Sequence, residues 1–139
     1  MNQKKRVFFN EFNILMDNSA YFPLASGLLH SYCETIPEIT QNYEFQPYIF
    51  FRDKPENIIP KLKDPDVVCF SVSVWNEQLS LKVGQKVKEQ YPNCLVIFGG
   101  PNVPFEADNY FDDNPFIDIT VRGDGEEALK EVLLQHLNG

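Results

Sequence analysis

Ser71 and Ser73 stand two residues apart in DVVCFSVSVW (66–75), and Gly99-Gly100 close the next apolar run, CLVIFGGPNVP (94–104). Strand side chains alternate with period two, so Val67, Cys69, Ser71 and Ser73 are expected to share one face. Two hydroxyls would then line an otherwise apolar surface. A hydroxyl buried without a partner costs about 1–3 kcal/mol, so this pair requires backbone, water or a ligand. The adjacent glycines remove two Cβ atoms where a ligand could approach the backbone closely. These are the means of binding rather than of bond cleavage, and no nucleophile–base dyad accompanies them.

Other reactive residue types are sparse. Cys33, Cys69 and Cys94 are odd in number and widely spaced, which reads as reduced, buried thiols rather than a disulfide framework or metal site. Twelve basic residues against twenty acidic ones give a net charge of −8, and the basic residues cluster only at Lys4, Lys5 and Arg6. Nucleic acid and anionic membranes are therefore poor partners. No apolar run reaches 18 residues and the VFF stretch stops at Asn10 and Glu11, so neither a membrane span nor a signal peptide is expected, and a cytoplasmic location is the default.

The elements that must position these residues follow from apolar period. RVFFNEF (6–12), FQPYIFF (45–51), VVCFSVSV (67–74), LVIFG (95–99) and IDITV (117–121) are the strand candidates. Helical stripes recur at Leu24, Leu28 and Tyr32, at Leu79, Val83, Val87 and Tyr91, and at Leu129, Val132, Leu133 and Leu137. Pro23, Pro55 and Pro104 stand near expected helix starts, and Asp53 with Glu56 and Asp124 with Glu127 have capping-box spacing. Pro60 falls inside an apolar pattern and predicts a short or bent second helix.

Alternating strands and helices imply one α/β domain, a flavodoxin-like (Rossmann-like) five-stranded parallel sheet of order 2-1-3-4-5 with helices on both faces. Ligands in this order bind beyond the carboxyl ends of the strands, at the switch point between strands one and three. The segment after strand one, NEFNILMDNSAYF (10–22), is long for such a connection and is a candidate ligand loop.

NSAYFPLASGLLHSY (18–32), SVSVWN (71–76), FGGPNVP (98–104) and FIDITVRGDGEEAL (116–129) together resemble the amino-terminal cobalamin-binding domain of cobalamin-dependent radical SAM enzymes. The resemblance covers nearly the whole chain. It implies that Ser71 and Gly99-Gly100 border the cofactor's nucleotide tail, with Ser73 where a leucine is usual, and that Val74, Trp75 and Asn76 lie beneath the corrin. It also assigns cofactor contacts to Asn18, Ser19 and Tyr21, to Pro101 and Asn102, and to Gly123, Asp124, Gly125 and Glu126. The related Asp-x-His-x-x-Gly loop, whose histidine ligates cobalt, has no counterpart after strand one. His30 and His136 lie in helical segments, so cobalamin would bind base-off without a protein imidazole, and Trp75 below the metal would favour lower-coordinate cobalt.

The resemblance further implies a downstream radical SAM domain, with a three-cysteine 4Fe-4S cluster and S-adenosylmethionine, in a methyltransferase-like parent. The chain ends just after its fifth helix and reads as an excised or truncated domain from which catalysis alone is not expected. Each motif also has a simpler reading: the serines as strand or water partners, Gly-Gly-Pro as a turn, Gly123 to Glu127 as a helix start, Trp75 as core, and Asn18 to Tyr21 as a cap. A phosphoacceptor domain lacks its aspartate and lysine here, and a flavodoxin electron carrier lacks its phosphate loop. A non-catalytic small-ligand or protein-interaction module remains the alternative.

Overall fold

A computed structural model of the chain describes residues 3–13, 15–16, 19–20, 23–106 and 108–139, with backbone alone for 15–16 and 19–20. The strands are β1 (Lys5–Asn13), β2 (Leu15–Met16), β3 (Ser19–Ala20), β4 (Tyr43–Phe45), β5 (Ile49–Phe51), β6 (Val67–Ser71), β7 (Leu95–Gly99) and β8 (Ile119–Val121). The helices are α1 (Leu24–Cys33), α2 (Pro37–Asn42), α3 (Pro55–Ile58), α4 (Glu77–Gln90), α5 (Asp108–Asp113) and α6 (Glu126–Leu137).

The main sheet is parallel and runs β4-β1-β6-β7-β8, with β5 also paired to β1. This is the expected 2-1-3-4-5 order with its second position divided in two. Pro47 sits in the gap and has no N–H to donate, so the ladder is interrupted there and resumes at Ile49, opposite Asn10. The long segment after strand one is also organised differently from expectation. β1 runs on to Asn13, and β2 pairs antiparallel with β3 in a separate two-stranded sheet.

Strand alternation sorts the core into two layers. Val7, Phe9, Val67, Cys69 and Ile97 face α1, α2 and α6, where Cys33, Ile39, Leu129 and Leu133 are buried against them. Phe8, Val68, Phe70, Val96 and Phe98 face the other way, against Ile58 of α3 and Val83 and Val87 of α4. The α4 and α6 stripes thus bury as expected.

The α1 stripe does not. Leu24 and Leu28 are exposed, and Ser26 and Cys33 are the buried residues of that helix. Neither expected capping box forms, since Lys54 and Gly125 are the N-caps and no side chain caps either helix; Asp53 instead accepts from the Lys54 N–H and the Asn57 amide. Pro104 lies four residues before α5 rather than at its start. Pro60 acts as expected, with α3 ending at Ile58 and a single 3-10 turn following it.

Candidate functional site

At the carboxyl ends of the strands, a cavity of about 230 Å³ opens between the sheet and helices α1 and α6. Its apolar wall comes from Phe9, Cys69 and Ile97 on the sheet, Leu28 and Leu29 on α1, and Leu129 on α6. Its upper end is bordered by Ser71 and Gly99, the last residues of β6 and β7, which pair directly. Both follow the phase of Cys69 and Ile97, so their side-chain positions point to the α1–α6 side. The space persists because those positions carry a hydroxymethyl group and a hydrogen.

The adjoining glycines serve different ends. A Cβ on Gly99 would meet only Val121, at 3.5 Å from its carbonyl oxygen and 3.7 Å from its Cβ, which is ordinary contact. Gly100 has φ +108°, and a Cβ there would stand 2.6 Å from both the N and the O of Val72. Gly100 is therefore required by the backbone, which brings the Val72 N–H to the Gly99 carbonyl at 2.6 Å and the Asn102 N–H to the Val72 carbonyl at 3.1 Å. The sequence treats the two alike as open approaches, but only Gly99 is free to vary without disturbing the chain.

The strand expected over 67–74 ends at Ser71, and Ser73 leaves the alternation. Asn76 is the cause. Its side chain, 1% exposed, donates from Nδ2 to the Phe12 and Ser71 carbonyls, 2.9 Å each, while Oδ1 accepts from the Ser73 N–H at 2.8 Å. This amide ties the ends of β1 and β6 to the start of α4, so in this structure it is committed to the backbone. The turn it holds presents Val74 and Trp75 to solvent, 78% and 42% exposed, and the Arg52 guanidinium donates to the Trp75 carbonyl. Trp75 is therefore not core filling.

The opposite rim is made by the segments after β7 and β8. Pro101 is exposed, and Asn102 donates from its amide to Glu77 of α4 at 2.5 Å. Arg122 donates to the Val103 carbonyl at 2.6 Å and lies 5.1 Å from the Phe105 ring centroid, joining the two segments. Gly123, at φ +76°, turns the chain into Asp124, Gly125 and Glu126, all of which line the cavity at the start of α6. Asn18 and Tyr21 lie outside the described residues, as does the side chain of Ser19.

Two polar residues at the cavity escaped the sequence analysis, as did Glu11, which bonds one of them. Asn10, 1% exposed, borders it from the α4-facing side of β1, with Phe8 and Phe12, and donates from Nδ2 to the Cys69 carbonyl at 3.2 Å; its Oδ1 is buried with no partner among the described residues. Ser26, 2% exposed, also lines it, and both its N–H and its hydroxyl donate to Glu11 Oε1, at 2.9 and 2.8 Å. The available signal was a polar residue at the end of an apolar strand and a small one in an apolar helix turn, patterns too common to single out.

Neither histidine offers a free position at the cavity. His30 Nδ1 meets the Tyr48 hydroxyl at 2.7 Å and Nε2 meets Glu34 at 2.8 Å. His136 sits at the far end of α6 with Nδ1 2.9 Å from the Tyr43 hydroxyl, and burial holds its pKa below the ordinary imidazole value. The three thiols are buried and free; burial raises Cys33 to about 11 and Cys94 to about 12, and raises Cys69 further. Among the described residues no cluster of three or more His, Cys, Asp or Glu could hold a metal ion, and no helix is long and apolar enough to cross a membrane.

A parallel sheet with a slot at its switch point defines a class of α/β ligand-binding domain. The family profile described as the B12 binding domain matches residues 40–133, and the chain belongs to that family. The resemblance drawn from the motifs is thereby borne out. The chain is 36% identical over 133 residues to 2-(S-pantetheinyl)-carbapenam-3-carboxylate methyltransferase of Streptantibioticus cattleyicolor. It is 35% identical over 134 residues to the cobalamin-dependent radical SAM methyltransferase TokK of Streptomyces tokunonensis. Each alignment covers 96% of this chain but 19% of the relative, so the chain spans about a fifth of their length. A solved structure of a putative pilus assembly-related protein from Burkholderia pseudomallei superposes with a TM-score of 0.59 at 9% identity, covering 96% of this chain and 90% of the other, a likeness of fold alone.

Proposed function

We propose that this chain is the cobalamin-carrying domain of a radical SAM methyltransferase and takes the nucleotide tail of the corrinoid into the slot between the sheet and helices α1 and α6. The observation that carries this reading is the slot itself: apolar along its walls, open at the Gly99 position, and polar at Ser71 and Ser26. A flat base fits apolar walls, and a ribose with its phosphodiester needs the polar groups. Family membership and the two methyltransferase relatives support the same ligand.

The bound corrinoid would supply a cobalt centre able to carry a methyl group. This chain's part is to hold and shield. Ser71 and the Gly123–Glu126 turn flank the slot, and the solvent-facing Val74, Trp75, Leu24, Leu28 and Phe105 provide apolar surface for the corrin plane and for a covering domain. We place no protein imidazole on cobalt, because both ring nitrogens of His30 are engaged and His136 lies at the other end of α6. Cobalamin would then be held base-off, with Trp75 excluding water from its lower face. The buried, protonated thiols are unsuited to ligate a cluster, so a 4Fe-4S centre with S-adenosylmethionine belongs to a downstream domain, and the methyl acceptor is selected there.

The test is direct. The protein is mixed with hydroxocobalamin and desalted, and the visible spectrum of the protein fraction is recorded. A co-eluting corrinoid with base-off absorption is expected, whereas a colourless protein points to the small-ligand or interaction module instead. Gly99→Val, which projects two methyl groups into the slot, is expected to weaken retention at least about ten-fold while leaving the thermal melt nearly unchanged. Undiminished retention would remove the slot from the reading.

A further inference from the structure

The indole of Trp75 is placed by its backbone rather than by its neighbours. It is 42% exposed, and among the described residues the ring makes no aromatic contact and no hydrogen bond. Its direction therefore depends on what holds the turn beneath it. The Asn76 side chain and the Asn102 segment tie that turn at its two ends, through the Ser73 N–H on one hand and the Val72 carbonyl and Glu77 on the other. Among the described residues, Arg52 alone ties the exposed apex: its guanidinium donates to the Trp75 carbonyl. A charged donor makes a stronger bond to a carbonyl than a neutral one.

The pairing of β1 with β5 brings Arg52 to that place. Ile49 stands opposite Asn10 and Phe51 opposite Asn13, so three steps along β1 match two along β5. Such a slip re-aims the strand end beside it, and Arg52 is the first residue beyond that end. Because β5 and β6 flank β1, the guanidinium spans the end of the middle strand to meet the turn that follows β6.

Resting on the corrinoid reading, we infer that Arg52 is a positioning residue, holding the Trp75 peptide so that the indole closes the lower face of the cobalt centre to water. Arg52 itself touches neither cofactor nor substrate in this role. Without its bond the apex of the turn is released, and water gains access beneath the metal.

Trp75 is the sole tryptophan of the chain, so its fluorescence reports the turn in the absence of any cofactor. Arg52→Gln removes the charged donor, Arg52→Lys keeps the charge and a donor, and Lys54→Gln removes a charge two residues away as a control. Arg52 is exposed, so neither substitution there opens the core; circular dichroism checks each variant. In the unloaded 139-residue protein, Arg52→Gln is expected to raise acrylamide quenching about two-fold, as a ring 42% exposed becomes freely accessible. Arg52→Lys should raise it less, and Lys54→Gln not at all. The same proteins are then loaded with hydroxocobalamin, reduced by one electron to Co(II), and examined by electron paramagnetic resonance. The wild type is expected to show cobalt without axial water, Arg52→Gln a water-ligated fraction, and Arg52→Lys a recovery of most of the wild-type signal. Unchanged quenching in Arg52→Gln, an equal rise in Lys54→Gln, or a looser turn with the wild-type cobalt signal overturns the inference, as does water-ligated cobalt in the wild type. In each of those cases retention of the corrinoid, and with it the underlying reading, stands. A wild type that retains no corrinoid overturns that reading and the axial role of Arg52 together.

Discussion

The two faces of the sheet end differently at the same strands. On the α4 side the last inward residues of β6 and β7 are Phe70 and Phe98, whose rings lie 4.8 Å apart at their centroids and fill the layer to its top. On the α1–α6 side the next positions along the same strands are Ser71 and Gly99, and the layer opens into the cavity. One residue's difference in phase thus separates a face built for stability from a face built to receive something. The glycines mark the same contrast: a Cβ on Gly84 of α4 would meet Phe116 at 3.0 Å and Phe98 at 3.1 Å, whereas one on Gly99 meets nothing nearer than 3.5 Å.

Substitutions that cross this divide test it. Truncating the filled face by Phe98→Ala is expected to lower stability by about 3–5 kcal/mol in urea denaturation; a loss under about 1 kcal/mol would mean that the aromatic layer is not where the fold is held. At the boundary, Gly100→Ala combines a positive φ with a 2.6 Å clash against Val72 and should cost about 2–4 kcal/mol, seen as a lowered melting temperature. A paired comparison of Gly84→Ala with Gly99→Ala sharpens the point. The first is expected to destabilise by about 1 kcal/mol through overpacking, and the second to be neutral or slightly stabilising as unfolded-chain entropy falls.

The smallest effect concerns pH. Burial, and then the charge of Lys5, hold the His136 pKa below its unfolded value of about 6.5, with Asp66 acting in opposition. The folded state therefore favours the neutral ring: its contribution is complete above about pH 6.5 and is lost as pH falls from there through the depressed folded value. His136→Gln should flatten that limb of the stability–pH curve; an unchanged slope would assign the acid sensitivity to other groups.

The sheet order was legible because each strand carries its own apolar run, and Gly99 and Ser71 were legible because they interrupt such runs at the carboxyl end. What escaped depends on contacts distant in sequence. Nothing in SVSVWN shows that the Asn76 side chain will bond the Phe12 carbonyl 64 residues away and stop the strand at Ser71. Leu24 and Leu28 have helical spacing, yet a stripe cannot report whether sheet or solvent lies beside it, and the polar Ser26 took the inner position because Glu11 meets its hydrogen bonds. Helix α2 is short, with Ile39 its only buried residue, and leaves too little periodicity to read. Asn10 looked like the end of an apolar stretch; nothing local shows that its amide will bond the Cys69 carbonyl 59 residues away.

The break at Pro47 reaches beyond the path of the chain. It divides one margin of the sheet into β4 and β5, three residues each, while β8 at the other margin is also three residues long. Neither border offers a long row of unpaired amides to a neighbouring molecule, so lateral stacking of one copy on another has little template to grow from.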